Sequence, residues 1–176
     1  MMFVSLGLGA VMAMALIVTL SLLTGGKVTS GETPPVSALV GTRLPAVSGT
    51  GLNGGMVHAP WTTGHPTVVV FYASFCEPCK RELPKVTRYL DHHDLGRVRI
   101  IGVDATDTRD AGTAFSRASG VTFPVIFDPS ADITSGIFHF VGLPETVYVS
   151  GTGEVRQVTT GATTVAGLKA GIALLR

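Results

Sequence analysis

The two cysteines of this chain stand three positions apart, in the stretch FCEPCKRELP that spans Phe75–Pro84. A pair spaced as Cys76-x-x-Cys79 can form a short structural disulfide, belong to a metal site or carry out thiol–disulfide exchange. Because the 176 residues contain no other cysteine, a scaffold stapled by several disulfides is excluded. The fold must therefore depend on a hydrophobic core, and the surroundings of the pair must indicate its chemistry.

A purely structural disulfide between these cysteines would contribute little to stability. Closing a loop of about four residues is worth roughly 2 kcal/mol in the chain-entropy model, against about 3 kcal/mol for a 15-residue loop. A zinc or copper site is a second alternative, because His92 follows Cys79 after twelve residues. A zinc pattern then requires a further histidine about three to five residues on, but His93 is adjacent. Both alternatives stay open, and neither is favoured.

Redox catalysis is the interpretation that the local pattern favours. The apolar stretch TVVVFYA predicts a buried strand, and Cys76 follows it at the start of a predicted helix. The backbone N–H groups and the positive end of the helix dipole would then favour the nucleophilic thiolate. Pro78 suits the first helical turn, where an N–H has no partner. Cys79, one turn further on, is expected to be more buried and to act as the resolving thiol.

Composition excludes some other functions. Apolar residues make up 45% of the chain and charged residues 14%, so a sizeable core can form. The net charge is +1 and there is no basic run, which excludes the basic face expected of a nucleic-acid-binding protein.

The N-terminal segment predicts a membrane anchor. Residues 3–24 carry no charge, and as a helix they would extend roughly 33 Å, enough to cross a bilayer core of about 30 Å. No basic residue precedes Lys27, so an uncleaved anchor over residues 1–26 is favoured over a cleaved signal. Residues 27–40 are rich in Gly, Ser, Thr and Pro and predict a flexible tether, followed by one domain over residues 41–176. The single charge of Lys27 favours a cytoplasmic domain, whereas the cysteine chemistry favours an extracytoplasmic one.

Strands alternate with helices along the domain and end in a hairpin, which predicts an α/β fold with a sheet of mixed direction. Pro84 is expected to kink the first helix. The predicted strands are Thr67–Ala73, Val98–Val103, Phe123–Phe127, Thr146–Val149 and Glu154–Thr159; the predicted helices are Pro78–His92, Asp110–Ser119, Ala131–Phe138 and Thr164–Leu175.

Several segments, in matching order, resemble one family. The stretch VVVFYASFCEPCKRELP resembles the active-site strand and helix of the thioredoxin superfamily, and most closely its membrane-tethered TlpA/ResA-type, redoxin-like thiol–disulfide oxidoreductases. GTRLPAVSGTGLNGGMV resembles their N-terminal hairpin, GVTFPVIFDPS their inserted region, and GLPETVYVSGTGEV their last loop and hairpin. The resemblance covers about residues 41–176. It implies a thioredoxin-like mixed sheet flanked by helices.

The resemblance also implies site residues. Pro144 falls where the superfamily has a cis-proline facing the dithiol, which would leave the backbone of Leu143 free to bind an extended polypeptide substrate; the alternative is a trans-proline ending a loop. Glu82 resembles an acidic residue kept near the dithiol, where partial burial would raise its pKa and suit it to proton transfer with a thiol. The alternative for Glu82 is a solvated side chain between basic neighbours.

Two further features bear on how the dithiol would behave. Glu77, between the cysteines, should oppose thiolate formation, which predicts a reductant rather than a strong oxidant. Phe75 and Tyr72 stand where the family often has tryptophan, a departure that leaves the thiol chemistry intact. The single tryptophan, Trp61, is expected to pack in the core.

These features together predict an extracytoplasmic, single-pass membrane enzyme that reduces protein disulfides. The family resemblance implies apocytochrome c as a substrate, in cytochrome c maturation, and an electron donor across the membrane; it implies no nucleotide or metal cofactor. Two alternatives stay open. One is a peroxiredoxin-like peroxidase of the same fold, and the other is a non-catalytic module that binds a metal or cargo.

Overall fold

The computed structural model describes residues 37–176, and these residues form a mixed β-sheet with helices packed on it. Seven strands and three α-helices lie in this part of the chain. The strands are β1 (Ser48–Thr50), β2 (Met56–His58), β3 (Thr67–Tyr72), β4 (Arg99–Ala105), β5 (Val125–Asp128), β6 (Glu145–Val149) and β7 (Val155–Thr160); the helices are α1 (Glu77–Asp91), α2 (Arg109–Ala118) and α3 (Val165–Ala173).

Five of the strands form the main sheet, in the order β5-β4-β3-β6-β7. Strands β3, β4 and β5 are parallel, whereas β6 is antiparallel to β3 and β7 is antiparallel to β6. Strands β1 and β2 form a separate antiparallel hairpin. The predicted α/β sheet of mixed direction is thus confirmed, including the C-terminal hairpin.

Strand β3 lies at the centre of the sheet because its residues are apolar on both faces. All six of them are buried. Val68, Val70 and Tyr72 belong to the core cluster that includes residues of α1 and α3, while Val69 and Phe71 belong to the cluster on the other face, with Trp61. Complete burial of each such valine is worth roughly 1.5–3 kcal/mol, so the strand is held firmly. The loop that leads to Cys76 therefore begins at a firmly packed strand.

Helix α1 packs through one apolar stripe. Leu83, Val86 and Leu90 are buried at helical spacing against the sheet. Pro84 lies inside the helix, which continues to Asp91. The exposed residues point away from the core, so the orientation of the helix about its axis is fixed by this stripe.

The predicted helix over Ala131–Phe138 is wrong, because this segment forms consecutive hydrogen-bonded turns. The carboxylate of Asp128 accepts hydrogen bonds from the N–H groups of Ile133 and Thr134 and from the Thr134 hydroxyl. Ala131 has a φ of 61°, and the N–H of Phe138 donates to Ile133 O, which widens the last turn. The N–H groups of residues 135–137 donate to carbonyls four residues back, but the widened bond of Phe138 ends this pairing after about one turn, so no regular helix is formed.

The packed part of the chain already includes Leu39, which is buried, and the N–H of Gly41 donates to Val155 O at 2.9 Å. Within residues 37–176, none of the helices has the length and apolar character needed to cross a membrane. The predicted membrane segment over residues 3–24 lies outside the described residues.

Candidate active site

Cys76 caps the N-terminus of α1. Its N–H donates to Ala73 O at 3.2 Å, which forms a tight turn at the end of β3. Its backbone is extended, with φ −80° and ψ 105°, and its Sγ accepts a hydrogen bond from the N–H of Cys79 at 3.1 Å. The sulfur thus lies at the positive end of the helix dipole, among N–H groups that stabilise negative charge.

Cys76 and Cys79 form a disulfide, with their Cα atoms 5.2 Å apart. Cys76 is 6% exposed and Cys79 only 1% exposed. Both cysteines are buried, and Cys76 is the more exposed of the two. This is the oxidised form expected of an exchange pair with one attacking and one resolving cysteine.

Glu77 and Pro78 complete the stretch between the cysteines. Pro78 lies in the first turn of α1, as expected. Glu77 is exposed, and Lys80 Nζ lies 2.6 Å from its carboxylate. The hydrogen bond and the charge of Lys80 lower the pKa of Glu77, so Glu77 is ionised at neutral pH. Lys80 therefore partly offsets the negative field that Glu77 exerts on Cys76.

Glu82 is buried, with 5% of its surface exposed, so the alternative of a solvated glutamate is wrong. Its Oε1 accepts a hydrogen bond from the N–H of Thr163 at 3.0 Å, and its Oε2 has no partner among residues 37–176. Burial raises the pKa of Glu82 to about 7, although the Thr163 bond opposes the rise. The carboxyl lies one helical turn beyond Cys79 on the same face, and near pH 7 it can either give or take a proton.

The peptide bond between Leu143 and Pro144 is cis, as the resemblance implied. Phe71 in β3 is the register partner of Glu145 in β6. The segment that ends at Pro144 therefore lies at the same end of these two strands as the turn that leads to Cys76. Leu143 packs against the core cluster that contains both cysteines. The chain thus brings Leu143 and Pro144 to the dithiol side of the sheet.

The residues that replace tryptophans have different surroundings. Phe75, next to the attacking cysteine, is 60% exposed. Tyr72 is buried, and its hydroxyl lies 2.7 Å from Ser116 Oγ. Trp61 packs in the core as predicted, donates through its indole N–H to Pro45 O at 3.1 Å and contacts Phe138 edge to face.

Sequence reasoning missed two acidic residues behind the active-site loop. Asp104 lies in β4, fully buried, and Asp107 follows the strand with 9% exposure. Asp107 accepts hydrogen bonds from both the N–H and the hydroxyl of Ser74, which precedes the dithiol by two residues. The sequence did contain a signal for Asp104, which is an acidic residue inside the apolar stretch VRIIGVDA. Buried aspartates are rare without partners, so such a residue indicates a special role.

A third missed acid, Glu145, directly follows Pro144. It is 1% exposed and accepts a hydrogen bond from the Thr160 hydroxyl at 3.1 Å. Burial raises its pKa. Its Oε1 has no partner among residues 37–176.

The histidines that suggested a zinc pattern lie elsewhere. His92 and His93 are exposed at the end of α1, and the ring of His93 stacks on Tyr89. Within residues 37–176, no group of three or more His, Cys, Asp and Glu side chains is placed to hold a metal ion.

Curated relatives of this chain are thiol–disulfide oxidoreductases by name. Sporulation thiol-disulfide oxidoreductase A of Bacillus subtilis is 27% identical over 109 residues, which cover 60% of this chain and 66% of that protein. Thiol-disulfide oxidoreductase ResA of the same organism is 29% identical over 112 residues, 64% of this chain and 62% of that protein. The matched region thus spans just under two thirds of each of these relatives.

Solved structures of similar proteins share the fold. The structure of MTB dsbF has a TM-score of 0.66 at 25% identity and matches 74% of this chain and 95% of that one. StoA of Bacillus subtilis has a TM-score of 0.63 at 24% identity, over 72% of this chain and 96% of that one. The AhpC/TSA family matches residues 40–158. With this match and a thioredoxin-like mixed sheet that carries the Cys76–Cys79 pair, the chain belongs to the AhpC/TSA family.

Proposed function

We propose that this protein is an extracytoplasmic thiol–disulfide oxidoreductase that reduces protein disulfides through Cys76 and Cys79. The observation that carries the proposal is the asymmetry of the pair. Cys76 is the more exposed cysteine, at 6% against 1%, and caps a helix N-terminus, whereas Cys79 lies one turn before the buried carboxyl of Glu82. The names of the relatives from Bacillus subtilis support the same chemistry.

The first step is attack by the reduced dithiol on a substrate disulfide. The Cys76 thiolate forms a bond to one substrate sulfur, and the substrate S–S bond breaks. The second substrate sulfur leaves as a thiolate and takes up a proton. The helix N-terminus stabilises the attacking thiolate. In the oxidised structure, the N–H of Cys79 donates a hydrogen bond to Cys76 Sγ at 3.1 Å.

The second step releases the reduced substrate. Cys79 loses its proton and attacks the Cys76 sulfur, which re-forms the Cys76–Cys79 disulfide and expels the first substrate sulfur as a thiolate. Two electrons have then passed from the dithiol to the substrate. Glu82 accepts the Cys79 proton, because its pKa of about 7 leaves a substantial ionised fraction at neutral pH.

The direction of the reaction follows from the charges around the sulfur. Glu77 carries a negative charge beside Cys76 that Lys80 offsets only in part, since both side chains are solvated. A thiolate that is stabilised only moderately belongs to a reductant, whereas strong oxidants have an unusually stable thiolate. The protein therefore needs a donor of two electrons to return to its dithiol form.

The substrate is a protein with an exposed disulfide, and apocytochrome c in cytochrome c maturation is the candidate that the family resemblance favours. Exposed Phe75 beside Cys76 and the neighbouring backbone of Leu143 offer an apolar contact and a hydrogen-bonding strand for an extended polypeptide. Residues 1–26 anchor the domain in the membrane through the apolar stretch 3–24. The tether predicted over residues 27–40 is shorter than that, because Leu39 already packs in the domain core. The electron donor is then a membrane dithiol protein that spans to the reducing side.

Trapping tests this function. In the full-length protein, Cys79→Ala leaves Cys76 able to attack but unable to be resolved, so mixed disulfides with substrates should accumulate and can be identified by mass spectrometry. Cys76→Ala is the matched control, and it should trap nothing. Absence of any partner on the Cys79→Ala protein, or consumption of peroxide by the wild type at a rate that exceeds disulfide reduction, contradicts the proposal.

A further inference from the structure

Asp104 has unusual surroundings for a carboxyl group. It is 0% exposed, and neither of its oxygens has a hydrogen-bond donor among residues 37–176. The backbone of Gly112 in α2 packs directly on the carboxyl, so that even a Cβ at this glycine would overlap it. A buried, ionised carboxylate without donors is very costly, whereas a protonated one can itself donate.

Asp107 is the acidic neighbour whose charge acts on Asp104. Asp107 itself accepts hydrogen bonds from the Ser74 N–H at 2.6 Å, the Ser74 hydroxyl at 2.9 Å and the N–H of Thr108 at 2.8 Å. Both oxygens of Asp107 are thus occupied by donors of the segment that leads to the dithiol and of the chain next to Asp107 itself. Asp104 and Asp107 thus form an acid pair behind the active-site loop, and a proton on Asp104 would remove the repulsion between them.

The groups around Asp104 and Asp107 are consistent with a protonated Asp104. Burial and the nearby charge of Asp107 raise the pKa of Asp104 to about 7. Tyr72 in β3 is the register partner of Asp104, and its hydroxyl is neutral and bonded to Ser116. The charge of Arg109 in α2 lowers the pKa of Asp104, but its guanidinium is already engaged by the carbonyls of residues 51 and 52 and by the ring of residue 127.

We propose that Asp107 is a positioning residue for the dithiol, that it acts through Ser74, and that a proton on the buried Asp104 lets Asp107 keep its loop-binding position. The inference rests on the proposed function, in which Cys76 is the attacking sulfur. Neither acid touches the sulfurs. Their effect passes along the chain from Ser74 to Cys76.

The path from Ser74 to Cys76 is short. Ser74 lies between the end of β3 and Cys76, inside the turn that the Cys76 N–H closes on Ala73 O. Both the N–H and the hydroxyl of Ser74 are fixed by Asp107, so the turn has little freedom. The direction in which Cys76 Sγ meets an incoming disulfide depends on this turn, and small displacements of a reacting atom can reduce a rate by up to about a hundredfold.

The test uses the full-length reduced protein and the alkylation rate of Cys76 with iodoacetamide, together with reduction of a model protein disulfide. Asp107→Asn replaces one acceptor oxygen by an NH₂ group that cannot accept from Ser74, and we expect a loss of roughly tenfold in both rates. Ser74→Ala keeps the backbone bond, and we expect a loss of roughly threefold. If Asp107 acts through Ser74, the double variant should lose about tenfold, whereas independent effects would give about thirtyfold.

Asp128→Asn is the matched control. Asp128 is also a buried aspartate whose carboxylate binds loop N–H groups, but those groups belong to Ile133 and Thr134. It should lose stability as Asp107→Asn does and keep the alkylation rate of the wild type. Equal losses of rate in both variants, or a folded Asp107→Asn protein that reacts within about twofold of the wild type, overturns the inference.

Asp104→Asn tests the proton. Its amide donates to Asp107 at every pH, so this variant should react like the wild type at pH 6 and be faster by a few fold at pH 8.5, where Asp104 ionises in the wild type and repels Asp107. A ratio of the two rates that stays constant with pH contradicts the role of Asp104. Because alkylation needs no biological substrate, failure of the wild type to reduce proteins would count against the proposed function while leaving this inference measurable.

Discussion

The carboxylate of Glu82 in α1 accepts a hydrogen bond from the N–H of Thr163, 3.0 Å away, shortly before α3 begins at Val165. This bond joins the helix that carries both cysteines to the C-terminal helix of the domain. It satisfies one oxygen of Glu82 and leaves the other without a partner among residues 37–176. The result is a buried acid held at a fixed place behind the enclosed cysteine.

Replacing Glu82 should slow the resolution step. Glu82→Gln keeps the shape and the bond from Thr163 but cannot take the Cys79 proton, so we expect release of the mixed disulfide to slow by about a hundredfold near pH 7, the lower end of a general base's contribution. The intermediate should accumulate and be visible on non-reducing gels after a rapid acid quench. Glu77→Gln, on the exposed side of the same helix, is the control and should resolve at the wild-type rate. Equal accumulation in both variants excludes Glu82 as the base.

The same carboxyl should make the stability of the oxidised domain depend on pH. The pKa of Glu82 rises from 4.5 to about 7 on folding, so between these pH values the folded state keeps a proton that the unfolded state has lost. Stability is therefore fully retained below about pH 4.5 and falls as the pH rises towards 7, by up to about 3 kcal/mol. Glu82→Gln should reduce this fall without abolishing it, because Asp104 titrates in the same direction. Urea unfolding at pH 4.5 and pH 8 measures the difference, and an unchanged difference in the variant contradicts the assignment.

The pair Glu77 and Lys80 should tune the reduction potential in opposite directions. Glu77→Gln removes a negative charge beside Cys76, which stabilises the thiolate and should raise the potential by roughly 10 mV. Lys80→Ala removes the offsetting cation and should lower the potential by a similar amount. Equilibration of each variant with a glutathione or dithiothreitol redox buffer gives the values. Shifts of the same sign in both variants would show that these charges do not act on the sulfur.

Gly171 in α3 should not tolerate a side chain. A Cβ at this position would overlap the ring of Tyr148, which is itself fully buried in β6. Gly171→Ala should therefore destabilise the domain by about 1–3 kcal/mol, despite the better helix propensity of alanine. Gly167→Ala, one turn earlier in the same helix, meets only the Thr163 and Thr164 hydroxyls and serves as the control. A stable Gly171→Ala protein would show that α3 can move away from the sheet.

The side of the membrane can be measured on the full-length protein. If residues 1–26 anchor the domain outside the cytoplasm, a membrane-impermeant maleimide should label reduced Cys76 in intact cells as completely as in lysed ones. Cys76→Ser provides the background, since Cys79 is enclosed. Labelling only after lysis contradicts an extracytoplasmic domain.

The sequence alone was sufficient for the features that depend on local pattern. The apolar stretch before Cys76, the proline in the first helical turn and the spacing of Leu83, Val86 and Leu90 specify a buried strand followed by an amphipathic helix, whatever the rest of the chain does. Matching segments in the right order then gave the fold and the cis-proline. A strand preference and a helix stripe are properties of neighbouring residues, which is why these predictions are confirmed.

The tertiary structure decided the features that depend on which distant groups meet. Glu82 bonds to a residue 81 positions away, and Asp107 to one 33 positions away, and neither spacing has a sequence period that could reveal it. The segment after β5 has helix-compatible residues and makes helical hydrogen bonds over residues 131–137, but the bond from the N–H of Phe138 to Ile133 O ends them before a regular helix forms. Burial and the partners available to each polar atom set the protonation of these acids, and both are fixed only when the sheet and helices have packed.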